Sequence, residues 1–190
     1  MKIAFVVYEG MTVLDFVGIF DPVTRLKTMR FRDDVEWDIC ATEPEVTGTG
    51  GLAVTATAMD ENLKGYDMIV VPGGMNVNPL IEDETFVEWL KTAADCEYKV
   101  SVCTGALLLG AAGFLSGRRA TTHPMAFDEL PEYATLVEDR IVRDGDVITA
   151  RGVTASIDLG LYLCELLASP AIRDEIKDQM DYPYGEELFV

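Results

Sequence analysis

Cys103 is the residue best placed to carry chemistry in this chain of 190 residues. It stands between a short apolar run, Val100-Ser101-Val102, and a segment of small and apolar residues from Thr104 to Gly113. No loop separates the two, so a strand must turn sharply into a helix. Such a turn lifts its apex side chain clear of the sheet and sets it at a helix N-terminus, the arrangement of a nucleophile elbow. The helix dipole and the free N–H groups of the first turn favour a thiolate near neutral pH. The same residue also reads as a buried cysteine that packs like a small hydrophobe.

Five further positions bear on that choice. Asp15 lies just past the first apolar run, at the start of a helix, where a carboxylate suits the macrodipole. Its neighbours Leu14 and Phe16 are apolar, so it also reads as a pocket carboxyl. Desolvation and a nearby thiolate would raise its pKa and make it a proton donor. Gly73 and Gly74 follow Pro72 and read as a turn, or as backbone N–H donors that approach a ligand closely. With the N–H of Thr104, Gly74 would form a hole for developing negative charge. The Thr104 hydroxyl could cap the helix or bond to the substrate or the thiol. His123, twenty residues beyond Cys103, reads as a satisfied structural imidazole or as the base of a cysteine–histidine pair.

These residues need a scaffold that gathers them. Residues 2–8 are a near-continuous apolar run and 68–71 a fully apolar one, as strands covered on both faces are. Val35 to Ala41 and the run ending at Val102 add two more strands. Helical periodicity occupies Asp15 to Lys27, Glu84 to Ala94, Thr154 to Leu167 and Ser169 to Met180. Hairpins are expected across Val46–Thr57 and residues 136–151, the latter turning at Asp144-Gly145-Asp146. Strands alternating with helices argue for a mostly parallel sheet between two helical layers. In such sheets, sites lie at the carboxyl ends of strands, and residues 9–15, Pro72-Gly73-Gly74 and Cys103 all fall there.

Composition narrows the function. The length suits one domain, 1–190, able to bury roughly 70% of its unfolded surface without a disulfide or metal. The net charge is -18, from 33 acidic and 15 basic residues. Such a surface repels nucleic acid and anionic membranes and suits a host with high internal salt. Neither a membrane span nor a signal-peptide core is visible, which leads to the expectation of a cytoplasmic protein. Cys40, Cys96, Cys103 and Cys164 form no C-x-x-C pair, and one histidine is too few for a recognisable zinc site, so neither metal nor cofactor is expected. Cys40 and Cys164 read as core, and Cys96, in a charged helix end, as incidental.

Taken together, several segments resemble the ThiJ/PfpI superfamily, which shares the class I glutamine amidotransferase-like fold. They are Leu14-Asp15-Phe16, Val71-Pro72-Gly73-Gly74, Ser101-Val102-Cys103-Thr104-Gly105, Leu109-Gly110-Ala111-Ala112-Gly113, Gly117-Arg118-Arg119-Ala120-Thr121-Thr122-His123, Ile141-Val142-Arg143-Asp144-Gly145, Gly152-Val153-Thr154-Ala155-Ser156-Ile157-Asp158 and Gln179-Met180-Asp181-Tyr182. The likeness is greatest to its isonitrile hydratases. It implies a flavodoxin-like three-layer sandwich. It also implies Cys103 as nucleophile, Asp15 as its acid/base partner, and Thr104 with the Gly74 amide at the substrate end. A small-molecule substrate, a homodimer and no cofactor are implied with them, and Val153 is expected to wall the pocket. Protease-like relatives have histidine where Thr104 stands.

Pro124, Arg151 and Ile19 depart from the family pattern, the first two at the pocket wall. Other thiol enzymes of the fold, glyoxalase or deglycase-like or amidase, remain open, as does a thiol sensor. Transcription regulators that share this core carry a C-terminal helix-turn-helix region. None is expected in a chain ending at Val190, and the acidity opposes DNA binding.

Overall fold

Apolar runs build the centre of the sheet. Ile3 to Val6 of strand β1 (Lys2–Val6) are buried, as is every residue of β5 (Met68–Val71). The structure, a computed structural model, describes residues 1–59 and 62–184. The remaining main strands are β2 (Glu36–Cys40), β6 (Tyr98–Val102), β9 (Ile141–Asp144) and β10 (Val147–Ala150). They form one six-stranded sheet in the order β2-β1-β5-β6-β10-β9, in which all neighbours are parallel except the edge pair β10–β9. The two short strands β3 (Glu45–Thr47) and β4 (Ala53–Thr55) make the expected hairpin as a separate ribbon.

Helices form two groups, one on each side of the sheet. Packed together are α1 (Val13–Thr28), α5 (Ala155–Leu167) and α6 (Pro170–Gln179); α2 (Val77–Ile81), α3 (Glu84–Lys91) and α4 (Gly105–Ala111) make the other group. The mostly parallel sheet between helical layers expected from the alternation is the fold observed, and it is the flavodoxin-like sandwich that the resemblance implied. Among the described residues, no helix is long and apolar enough to cross a membrane.

Local departures have local causes. α1 begins at Val13, two residues before Asp15, so the carboxylate sits in the first turn rather than at the cap. α3 is capped by Asp83, whose side chain accepts from the Thr85 and Phe86 N–H groups, and it ends at Lys91 rather than Ala94. α2 and the two-residue pair β7 (Arg119–Ala120) and β8 (Thr135–Leu136) escape sequence periodicity because each is too short to repeat. Cys40 and Cys164 are core, as expected. Cys96 is a correction: it is buried, beyond the end of α3, with its sulfur against the Leu63 carbonyl.

The layer that carries Asp15 depends on a close helix–helix approach. A Cβ at Gly18 of α1 would lie 2.1 Å from Ser156 Oγ, and one at Gly160 of α5 would lie 2.5 Å from Pro22 Cγ. Ser156 Oγ in turn lies 3.1 Å from the Leu14 carbonyl and 2.8 Å from the Val153 carbonyl, within reach of either for its one proton. Gly18→Ala therefore forces α1 away from α5, and a loss of about 1–3 kcal/mol is expected, as for other overpacked cores. Urea unfolding measures it, and adding Ser156→Ala recovers part of the loss.

Candidate active site

The β6–α4 turn is as sharp as the sequence requires. Only Cys103 and the cap residue Thr104 separate β6 from α4, and Cys103 has φ 58°, a left-handed conformation that non-glycine residues adopt only when their surroundings hold them there. Those surroundings are explicit. The Cys103 N–H donates to the carbonyls of Ala150 and Arg151, each at 3.0 Å. Thr122 Oγ1 donates to the Cys103 carbonyl at 2.9 Å. Facing the turn, the Gly73 backbone comes so near that a Cβ there would stand 2.6 Å from Thr104 N and 2.8 Å from Cys103 Cβ.

Asp15 reaches this turn from the other side. Its carboxyl is wholly buried. Oδ2 accepts from the Gly73 N–H at 3.1 Å, and Thr12, the cap of α1, donates its N–H to the Gly73 carbonyl at 2.8 Å. The first turn of α1 and the glycine turn after β5 thus orient one another. Oδ1 has no hydrogen-bond partner among the described residues. A buried carboxyl oxygen without a partner is unusual in a folded protein.

The two groups perturb each other. Burial pushes the Asp15 carboxyl up to about 7, against the lowering influence of the Cys103 thiol and the Gly73 N–H. Burial, reinforced by the Asp15 charge, pushes the Cys103 thiol up to about 12, against the lowering influence of Thr104. The expectation of a resting thiolate near neutral pH is therefore corrected. The helix N-terminus acts on the sulfur, but desolvation outweighs it. At neutral pH the pair holds a thiol beside a carboxyl that titrates.

Other expected positions fall as follows. Thr104 Oγ1 accepts from the Gly74 N–H at 3.0 Å and lies 3.3 Å from the Gly74 carbonyl. The Gly74 and Gly73 amides are therefore both taken up by protein groups, which corrects the picture of Gly74 as a free donor in an oxyanion hole. The Thr104 hydroxyl does not cap α4. Cys103, Thr104, Gly74, His123 and Val153 all line one cavity of about 350 Å³. His123 Nδ1 accepts from the Met125 N–H at 3.1 Å, and Gly152 lies under its ring. Its role is that of a wall residue. Arg151 stacks over Phe127 at 5.2 Å and donates to the Glu138 carbonyl, so its charge is engaged elsewhere.

One neighbour escaped sequence reading. Tyr8 extends the first apolar run and looks like the end of a strand. In the structure its hydroxyl donates to the Pro72 carbonyl at 2.8 Å. Burial, then the charges of Asp15 and Cys103, holds its proton well above the usual tyrosine range. It supports the Pro72–Gly73 turn as a neutral phenol. Among the described residues, no group of three or more His, Cys, Asp or Glu could hold a metal ion.

Comparison with known proteins follows the same geometry. The model of the DJ-1/PfpI family matches residues 1–166. An isonitrile hydratase of Pseudomonas putida is 37% identical over 184 residues, covering 96% of this chain and 78% of that protein. The HTH-type transcriptional regulator CdhR of Pseudomonas aeruginosa is 29% identical over 184 residues, which is 92% of this chain but only 53% of the regulator. Among solved structures, a ThiJ/PfpI family protein from Pseudomonas syringae superposes with a TM-score of 0.84 at 30% identity, covering 97% of this chain and 76% of that one. Drosophila melanogaster DJ-1beta has a TM-score of 0.81 at 19% identity over 96% of this chain and 98% of its own, a likeness of fold.

Proposed function

The chain belongs to the DJ-1/PfpI family, and from that premise we propose that it is a cysteine-dependent isonitrile hydratase, a hydro-lyase that converts an isonitrile and water into an N-substituted formamide. The observation that carries this reading is the buried Asp15–Cys103 pair opening on a mostly apolar cavity, in a chain 37% identical to a protein named for that reaction.

Such a pair suits the reaction. The isonitrile carbon carries a lone pair that accepts a proton, after which it is electrophilic. The Asp15 carboxylate takes the Cys103 proton through its orphan Oδ1 and delivers it to that carbon. Sulfur attacks the same carbon, and one C–H and one C–S bond form, giving a thioimidate. Asp15 then removes a proton from water as oxygen adds to the thioimidate carbon. Asp15 passes that proton to the nitrogen, and collapse of the tetrahedral adduct forms the C=O bond and breaks the C–S bond, the hydroxyl proton going by way of Asp15 to sulfur as the formamide leaves. Each proton transfer of this type contributes about 10²–10⁴ in rate.

A homodimer belongs to the same proposal. Leu14 and Val17, the exposed apolar residues beside Asp15 on α1, are 39% and 36% exposed, and a second copy would cover them. A peroxide sensor is less well supported. A thiol pushed up to about 12 and only 5% exposed presents little thiolate to oxidant.

Incubation with para-nitrophenyl isocyanide, across a range of salt concentrations because of the -18 charge, tests the reading. Formamide is expected to appear in proportion to enzyme. Methylglyoxal consumption without isocyanide turnover would point instead to a glyoxalase or deglycase.

A further inference from the structure

The walls of the Cys103 cavity have a composition that selects charge. Val77, Leu107 and Val153 give it an apolar face, and Met75 and Met125 stand at its rim, 87% and 86% exposed. Flexible thioethers at a mouth adapt to apolar groups of varied shape. Among the described residues, no lysine or arginine lines the cavity, and Glu129 is the one carboxylate of its lining. His123 Nδ1 is engaged as the acceptor of the Met125 N–H. Arg151 is turned to Phe127 and Glu138.

We infer that this site admits isonitriles whose substituent is apolar and either uncharged or cationic, that it rejects anionic ones, and that Glu129 sets this preference. The substrate class rests on the isonitrile reading; the charge preference itself rests on the cavity. A carboxylate entering the cavity would meet Glu129 and find no cation to pair with, while losing part of its hydration. A cation in the same place would be attracted. The acidic surface as a whole adds a long-range field of the same sign, but salt screens that field beyond about 8 Å at physiological ionic strength. Glu129 is itself exposed, so salt weakens its effect too, but it acts within a few ångströms and so outlasts the long-range field as salt rises.

Two measurements at high salt test the preference. The first compares kcat/KM for 4-isocyanobenzamide, its carboxylate analogue 4-isocyanobenzoate, and a trimethylammonium-substituted aryl isocyanide. The carboxylate is expected to be poorer than the amide by about tenfold, with the cation at least equal to the amide, as like and unlike charges a few ångströms apart in a partly desolvated site require. Glu129→Gln is expected to narrow the carboxylate-to-amide ratio by about fivefold, and Glu129→Lys to reverse its sense.

The second measurement needs no isonitrile chemistry. Alkylation of Cys103 by neutral iodoacetamide and anionic iodoacetate, run at alkaline pH and followed over long times because the thiol is buried and mostly protonated, is read by peptide mass spectrometry, with glutathione as the reference thiol. The iodoacetamide-to-iodoacetate ratio should exceed that of glutathione and fall towards it in Glu129→Gln. Isocyanide turnover with no charge discrimination, or discrimination unchanged in Glu129→Gln, overturns the inference and leaves the hydratase reading standing. Absence of all isocyanide turnover with the alkylation ratio as expected removes the hydratase reading and leaves the charge preference standing. An alkylation ratio equal to that of glutathione overturns the preference.

Discussion

Cys103→Ala is expected to remove isocyanide turnover, by about 10⁴-fold or more, as loss of a covalent nucleophile does in other hydrolytic enzymes. The fold should survive. Alanine adopts the backbone conformation of residue 103 no less readily than cysteine, and the interactions that hold it come from the backbone N–H and C=O. The substitution removes one sulfur from a site already opening on a cavity, so little core packing is lost. Cys103→Ser is the sharper comparison, because it retains a hydroxyl of similar size. A serine hydroxyl beside Asp15 is far harder to ionise than a thiol, and its activity should remain near that of alanine. Steady-state kinetics with para-nitrophenyl isocyanide, together with circular dichroism, reads both effects. An alanine variant that keeps a tenth of the activity would remove the thiol from the mechanism.

Asp15→Asn is expected to separate catalysis from stability. Without the carboxylate, the proton has no carrier between sulfur, substrate and water, and kcat should fall by about 10²–10⁴. In the wild type, kcat/KM should rise with pH through about 7, as Asp15 ionises while the thiol remains protonated, and that inflection should vanish in the variant. Stability should move the other way. The folded carboxyl titrates near 7 and the unfolded one near 3.8. Below about pH 4 both states are protonated and burial carries no ionic penalty. Between those values the unfolded chain releases its proton first, so stability falls as pH rises; above about 7 the penalty is complete, at most about 4 kcal/mol. Asparagine carries no such penalty and can still accept from the Gly73 N–H. Its melting temperature should exceed that of the wild type at pH 8 and converge with it towards pH 4.

Much of the scaffold is legible from sequence for a simple reason. Strands buried on both faces are largely apolar, and β1 past Lys2 and β5 show that pattern without ambiguity, whereas β6 also buries Lys99 and Ser101. The absence of any loop between Val102 and Gly105 dictates the turn, and the turn dictates where Cys103 points. Asp15 is legible as a residue near the end of β1, and the structure adds that the Gly73 amide orients it. Proton affinities are less legible, because they depend on how much water the assembled layers exclude. Sequence places the sulfur at a helix N-terminus, which lowers its pKa, but only packing reveals the desolvation that raises it. Tyr8 is hidden for a related reason: a tyrosine after an apolar run is indistinguishable from a strand residue until its hydroxyl is seen on the Pro72 carbonyl. The direction of the Gly74 amide, towards Thr104 rather than towards a ligand, is likewise a tertiary fact.

The account depends on a covalent bond between Cys103 and the isonitrile carbon. Rapid acid quench of the enzyme during turnover, followed by mass spectrometry of the segment Val100–Arg118, whose one cysteine is Cys103, measures it directly. The predicted result is a mass increase equal to that of one isocyanide molecule, located on Cys103 and absent once substrate is exhausted. Formamide production with Cys103 unmodified at every time point, or with the added mass on another residue, would contradict it.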